Sequence, residues 1–110
     1  MVDSRKLEQY DVCLVSLDPT FGSEIKKTRP CLIVSPDEMN RHIKTLIIAP
    51  MTTKARSYPT RVPVSFQGKE GEVVLDQIRT VDKQRIVKKL GKLSKATSQK
   101  VSSVLVTMFS

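Results

Sequence analysis

The sequence predicts a small, mostly antiparallel β-barrel with one C-terminal α-helix, mostly β with some α, as a single domain over residues 1–110. Three observations predict it. Short runs rich in Val, Ile and Leu follow one another closely, each bounded by turn-formers such as Gly, Pro or Asp. After Ser94 the apolar residues change to helical spacing, with Val101, Val104, Leu105, Met108 and Phe109 on one stripe. At 110 residues the chain has enough material for one modest core.

In chain order, residues 1–9 are polar and charged and are expected to be a flexible lead-in. Asp11–Leu17 (DVCLVSL) reads as the first strand. Cys13, Val15 and Leu17 point one way and Val12 and Leu14 the other, so the strand should be covered on both faces or lie at a barrel's overlap. Asp18–Pro30 (DPTFGSEIKKTRP) is a connection too long for a tight hairpin, and such segments are usually functional or disordered. Arg29 precedes Pro30, which biases it to extended backbone at the mouth of the second strand, Cys31–Ser35. Ser35-Pro36-Asp37 starts one short helical turn. Thr45–Pro50 (TLIIAP) is continuously apolar and therefore central, and Met51–Pro59 is a loop.

Thr60–Phe66 alternates but holds Pro63, which confines it to an edge. QGKEGE is expected to be a turn, Glu72–Ile78 a strand, and Arg85–Leu93 a last strand or short helix, with Gly91 favouring the strand. Ser94 then caps a helix over 95–109. Ser98, Ser102 and Ser103 fall off its apolar stripe, which packs either on the barrel or across a two-fold interface.

The net charge of +8 and isoelectric point near 9.8 suit a polyanionic partner, because lysines and arginines gain by displacing counterions from phosphates. With no Trp, two Tyr and three Phe, single-strand binding must rest on charge and hydrogen bonds more than on stacking. No run reaches the length of a membrane span, and the N-terminus lacks a signal peptide's apolar segment, so a cytoplasmic location is expected. Cys13 and Cys31 read as small buried hydrophobes without a disulfide. One His and two separated Cys do not make a zinc site, so neither metal nor cofactor is expected.

Three polar clusters end or interrupt apolar runs: Ser23 and Glu24 with Lys26, Lys27 and Arg29; Thr52-Thr53; and Asp76-Gln77 with Arg79-Thr80. Converging at one rim, they would suit a phosphodiester. Arginine offers forked donors that stay charged, and fixed donors stabilise the negative charge built when an RNA 2′-hydroxyl attacks its own phosphate. Each cluster also has a structural reading. Glu24 and Lys27 suit a solvated face, Thr52 and Thr53 a self-satisfied turn, Asp76 a turn carboxylate, and His42 a surface position.

The segments LVSLDPTFGSEIKKTRPCLIVSPDEMN, APMTT and VVLDQIRTVDKQRI resemble the toxin family called MazF, PemK or Kid, from about Tyr10 to the C-terminal helix. The resemblance implies an SH3-like barrel and a homodimer. It also implies a metal-independent endoribonuclease that cuts single-stranded RNA, mostly mRNA, leaving a 2′,3′-cyclic phosphate and a 5′-hydroxyl. A cognate antitoxin, MazE-like, would block the groove with an acidic disordered tail, which suits a basic surface, and DNA would be met only through that antitoxin.

Position by position, the resemblance puts Arg29 on the family arginine as the stabiliser of transition-state charge, and Thr52 on the threonine that contacts the scissile phosphate or 2′-hydroxyl. Ser23 and Glu24 fall in the RNA-binding loop with Lys27 beside them. Thr53, Asp76 and Gln77 are the further RNA contacts, Gln77 as a base reader. Some members have His at the position of Ser23 and Arg at that of Val74, so their acid–base assignment does not carry over. The barrel also resembles the gyrase-directed CcdB toxins, though the chain ends in VTMFS without Trp. An RNA-binding module without turnover is the third reading.

Overall fold

The computed structural model describes residues 6–25 and 27–110. Seven strands run β1 (Asp11–Ser16), β2 (Thr28–Ile33), β3 (Thr45–Thr52), β4 (Arg61–Phe66), β5 (Lys69–Val74), β6 (Arg79–Asp82) and β7 (Ile86–Lys92). Helix α1 (Asp37–His42) follows β2, and α2 (Lys95–Phe109) ends the chain. The strands lie in the order β4-β5-β3-β2-β1-β7, all pairings antiparallel, with β6 also on β3. The sheet curls so that its ends meet through side chains. Gln67 Nε2 donates to the Leu90 carbonyl at 3.2 Å, and a Cβ on Gly91 would lie 3.1 Å from the Phe66 ring. The result is a half-barrel with a C-terminal helix.

Period-2 alternation sorts the apolar residues into two clusters on opposite faces of the sheet. Val12, Leu32, Ala49 and Val73 join one with Val101 of α2, while Cys13, Val15, Leu17, Cys31 and Ile48 join the other. The two-sided apolarity of the first strand has this cause. Pro63 does sit on an edge strand, and TLIIAP is central, flanked by β2 on one side and β5 and β6 on the other.

The register explains where the chain departs from the expected strands. Val34 N donates to Ile47 O, so alternate residues of β3 (47, 49, 51) turn their polar groups toward β2 and the others away from it. Pro50 falls in the second set and has no N–H to offer a neighbour. The ladder on that side breaks there: β6 pairs with Thr45–Ile48 and β5 with Met51–Thr52. The segment expected as one strand, Glu72–Ile78, is therefore split. Strand β5 ends at Val74, Leu75–Gln77 forms a 3-10 turn, and β6 starts at Arg79. On its early side β5 reaches back to Lys69, so the expected turn shrinks to Gln67-Gly68, both at positive φ.

Residues 1–5 of the expected lead-in lie outside the described residues. The rest of it is packed: Leu7 is buried, and Gln9 N donates to Asp37 Oδ1 at 2.7 Å at the start of α1. In α2 the Ser94 hydroxyl accepts from Thr97 N, capping the first turn. Val101, Val104, Leu105 and Met108 pack on the barrel, whereas Phe109 is 71% exposed. Ser98 lies on the packed stripe, not off it, one turn before Val101, and is buried. No helix among the described residues is long and apolar enough to cross a membrane.

Candidate active site

Arg29 is the second residue of β2, and Thr52 the last of β3. Continuing the pairing of Cys31 with Pro50 by two places brings Arg29 opposite Thr52. The intervening pair would be Pro30 and Met51, at a position where β2 should donate to β3. Pro30 cannot, and the Met51 carbonyl instead accepts from Arg29 Nη1 at 3.4 Å. Thr52 Oγ1 accepts from Lys54 N at 3.1 Å, which leaves its O–H hydrogen to donate elsewhere. Arg29, Thr52 and Thr53 line a cleft of about 320 Å³ with Gln67, Lys69 and Gly71. A Cβ at Gly71 would stand 2.1 Å from the Thr52 carbonyl oxygen, so only glycine lets β5 run this close to the end of β3.

A second cleft of about 270 Å³ lies at the break opposite Pro50 and holds Glu24, Asp76, Gln77 and Arg79. The predicted clusters thus fall into two neighbouring clefts separated by the last residues of β3. Gln77 ties them to the long loop, its Oε1 accepting from Ile25 N at 2.9 Å. Glu24 Oε1 accepts from Phe21 N at 2.5 Å within the loop, whose base is held by the Arg79 and Arg85 side chains on the carbonyls of Leu17 and Ser16. Ser23 and Lys27 are exposed on this loop and line neither cleft, and Lys26 lies outside the described residues. Lys27 adopts a positive φ, with its N–H on Asp18 Oδ1 at 3.1 Å.

Asp76 is already partnered. Its carboxylate accepts from Arg61 Nε and Nη2 at 3.1 and 3.2 Å and from the Thr60 hydroxyl at 2.9 Å. The Arg61 guanidinium, and after it the Thr60 hydroxyl, hold this carboxyl below the usual carboxylate range despite partial burial. His42 is on α1, its Nδ1–H donating to Glu38 O, a surface role. Among the described residues no three His, Cys, Asp or Glu side chains gather in a way that would hold a metal ion.

Sequence reasoning missed Gln67, Lys69, Glu70 and Gly71 as cleft residues because GKEG looks like a turn. Its only warning is that Lys69–Val74 continues into an apolar run. Chemically, the first cleft presents a forked cation, a free hydroxyl donor and a second cation, a set suited to a phosphate ester.

Solved structures share this arrangement of strands and helix. MazF from Deinococcus radiodurans is 24% identical, with 94% of this chain and 96% of that one covered and a TM-score of 0.82. An endoribonuclease from a mycobacterial species is 28% identical over 94% of this chain and 90% of that one, TM-score 0.78. An endoribonuclease in complex with its cognate antitoxin, also mycobacterial, is 28% identical over 94% of both chains, TM-score 0.80. The family model described as PemK-like, MazF-like toxin of type II toxin-antitoxin system matches residues 8–109, nearly the full length, and the chain belongs to that family.

Proposed function

We propose that this chain is a sequence-selective, metal-independent endoribonuclease toxin that cuts single-stranded RNA, mainly mRNA, and so arrests translation and growth. The observation that carries this reading is the convergence of Arg29 and Thr52 at the ends of adjacent strands in one cleft. In the reaction the 2′-oxygen bonds to phosphorus, the bond from phosphorus to O5′ breaks, the 2′ proton leaves, and O5′ takes up a proton. The products are a 2′,3′-cyclic phosphate and a 5′-hydroxyl. Arg29 stabilises the charge on the nonbridging oxygens, acting electrostatically because a guanidinium does not give up its proton at working pH. Thr52 donates its hydroxyl to the scissile phosphate or the 2′-oxygen.

Thr53 lies beside it, and Glu24 and Gln77 face the RNA from the second cleft, with Ser23 and Lys27 on the loop above. Asp76 contributes through its contact with Arg61 more than through the RNA. The chain works as a homodimer in the cytoplasm. A cognate antitoxin with an acidic tail, disordered until bound, neutralises it, and the net charge of +8 supports such a partner. Cleavage of a long single-stranded RNA in EDTA, with the product ends mapped and Arg29→Ala alongside, tests this reading.

A further inference from the structure

Tyr58 stands on the loop between β3 and β4 and is half exposed, although its surroundings hold it firmly. The buried carboxylate of Glu72, the β5 residue paired with Thr52, accepts from Arg56 N at 2.8 Å and Ser57 N at 3.1 Å. Ser57 turns at positive φ, Pro59 biases Tyr58 to extended backbone, and Arg61 N closes the loop on Tyr58 O at 3.0 Å. Beneath the ring the Arg61 guanidinium carbon lies 4.8 Å from the centroid, and Arg61 is itself fixed by Asp76. One face of an aromatic ring is therefore braced by a cation that an ion pair immobilises, while half of the residue stays open to solvent. The loop that carries it is pinned to the strand position opposite Thr52.

We infer that Tyr58, braced by Arg61 and Asp76, is a stacking subsite for a nucleobase of single-stranded RNA flanking the phosphate held at Arg29 and Thr52. This rests on the ribonuclease reading and adds a binding element to it. A rigid aromatic face suits the purpose, because every base has a π-face and little conformational entropy is lost when it stacks. Arg61 and Asp76 are positioning residues, since they act through the ring. Glu72 holds the loop.

The test uses the whole protein and a short RNA spanning a mapped cut, with KM and kcat measured separately. Tyr58→Ala is expected to raise KM about tenfold with kcat little changed, the size of one lost base stack. Tyr58→Phe and Tyr58→Trp keep the ring face and are expected to restore KM. A walk of single abasic substitutions along the RNA identifies the stacked nucleotide. At one flanking position the abasic RNA costs the wild type about tenfold in KM but costs Tyr58→Ala nothing further. Wild-type cleavage with KM unchanged in Tyr58→Ala, or with abasic penalties independent of Tyr58 at every position, overturns the subsite alone. RNA neither bound nor cut by the wild type overturns the ribonuclease reading and the subsite with it.

Discussion

The Arg29 side chain donates to the Met51 carbonyl, at 3.4 Å, where the Pro30 backbone has no N–H to give. A proline that would weaken an ordinary strand here opens the end of the β2–β3 ladder, and the preceding arginine fills the opening. The same device recurs at Pro50, where the missing donor breaks the other edge of β3 and releases the turn carrying Asp76 and Gln77. Both clefts owe their position to a proline in a strand.

Gly71 is the tightest point of this arrangement. Gly71→Ala would drive a methyl group into the Thr52 carbonyl, 2.1 Å away, and is expected to cost about 3 kcal/mol or more in urea unfolding. Gly68→Ala has open space around it and pays mainly for positive φ, about 1 kcal/mol. Equal midpoints for the two variants would contradict the close approach of β5 to β3.

Glu72 is expected to hold its loop locally. Glu72→Ala leaves the N–H groups of Arg56 and Ser57 without their carboxylate and should cost about 2–4 kcal/mol. Amide hydrogen exchange at those two residues should accelerate more than exchange in β1. Exchange there that is unchanged, or accelerated no more than in β1, would show that the carboxylate does not anchor the loop.

Asp76 makes stability depend on pH in a known direction. Its carboxyl is lowered by Arg61 in the folded protein, so its contribution is fully present above the unfolded carboxylate value and is lost as pH falls through the folded one. Asp76→Asn should cost about 1 kcal/mol or less near neutral pH, since the pair is partly exposed, and progressively less as the pH is lowered toward about 2. Thermal unfolding of the two proteins across that range checks it. A difference that grows on acidification would reverse the sign.

Cys13 and Cys31 face each other across β1 and β2, and both are fully buried. Burial, reinforced by Asp11 at Cys13, pushes both thiols up to about 12, which suppresses the reactive thiolate. Neither should react with Ellman's reagent at about pH 8 until the protein is unfolded, when both should. Rapid reaction of either in the native protein would contradict the packing.

Much of this was legible in the residues. The alternation in DVCLVSL foretold a strand covered on both faces, Pro63 an edge, and the spacing after Ser94 a capped helix. Three features were not legible, for physical reasons. A lone Pro50 reads as the end of a strand when it is a switch between two neighbours on the same strand. GKEG is composed like a turn, and only the close passage of β5 beside Thr52 requires its second glycine. Asp76 sits in a segment that resembles an RNA-contacting one, but its partner Arg61 is fifteen residues away on β4, and only the paired sheet reveals it. For the candidate site, Arg29 and Thr52 fall together in one cleft. Glu24 and Gln77 share another, and Ser23 and Lys27 remain on the loop.

Metal-independent RNA cleavage organised by Arg29 is the proposed reaction on which the other roles depend. The direct measurement is the rate and end chemistry of cutting of a long single-stranded RNA in EDTA, by the wild type and by Arg29→Ala with its fold checked by circular dichroism. Discrete cuts with 2′,3′-cyclic phosphate ends are expected from the wild type. The variant is expected to cut at a rate at least about a hundredfold lower, the usual loss when a donor to a developing oxyanion is removed. Intact RNA from the folded wild type, or undiminished cutting by Arg29→Ala, would contradict it.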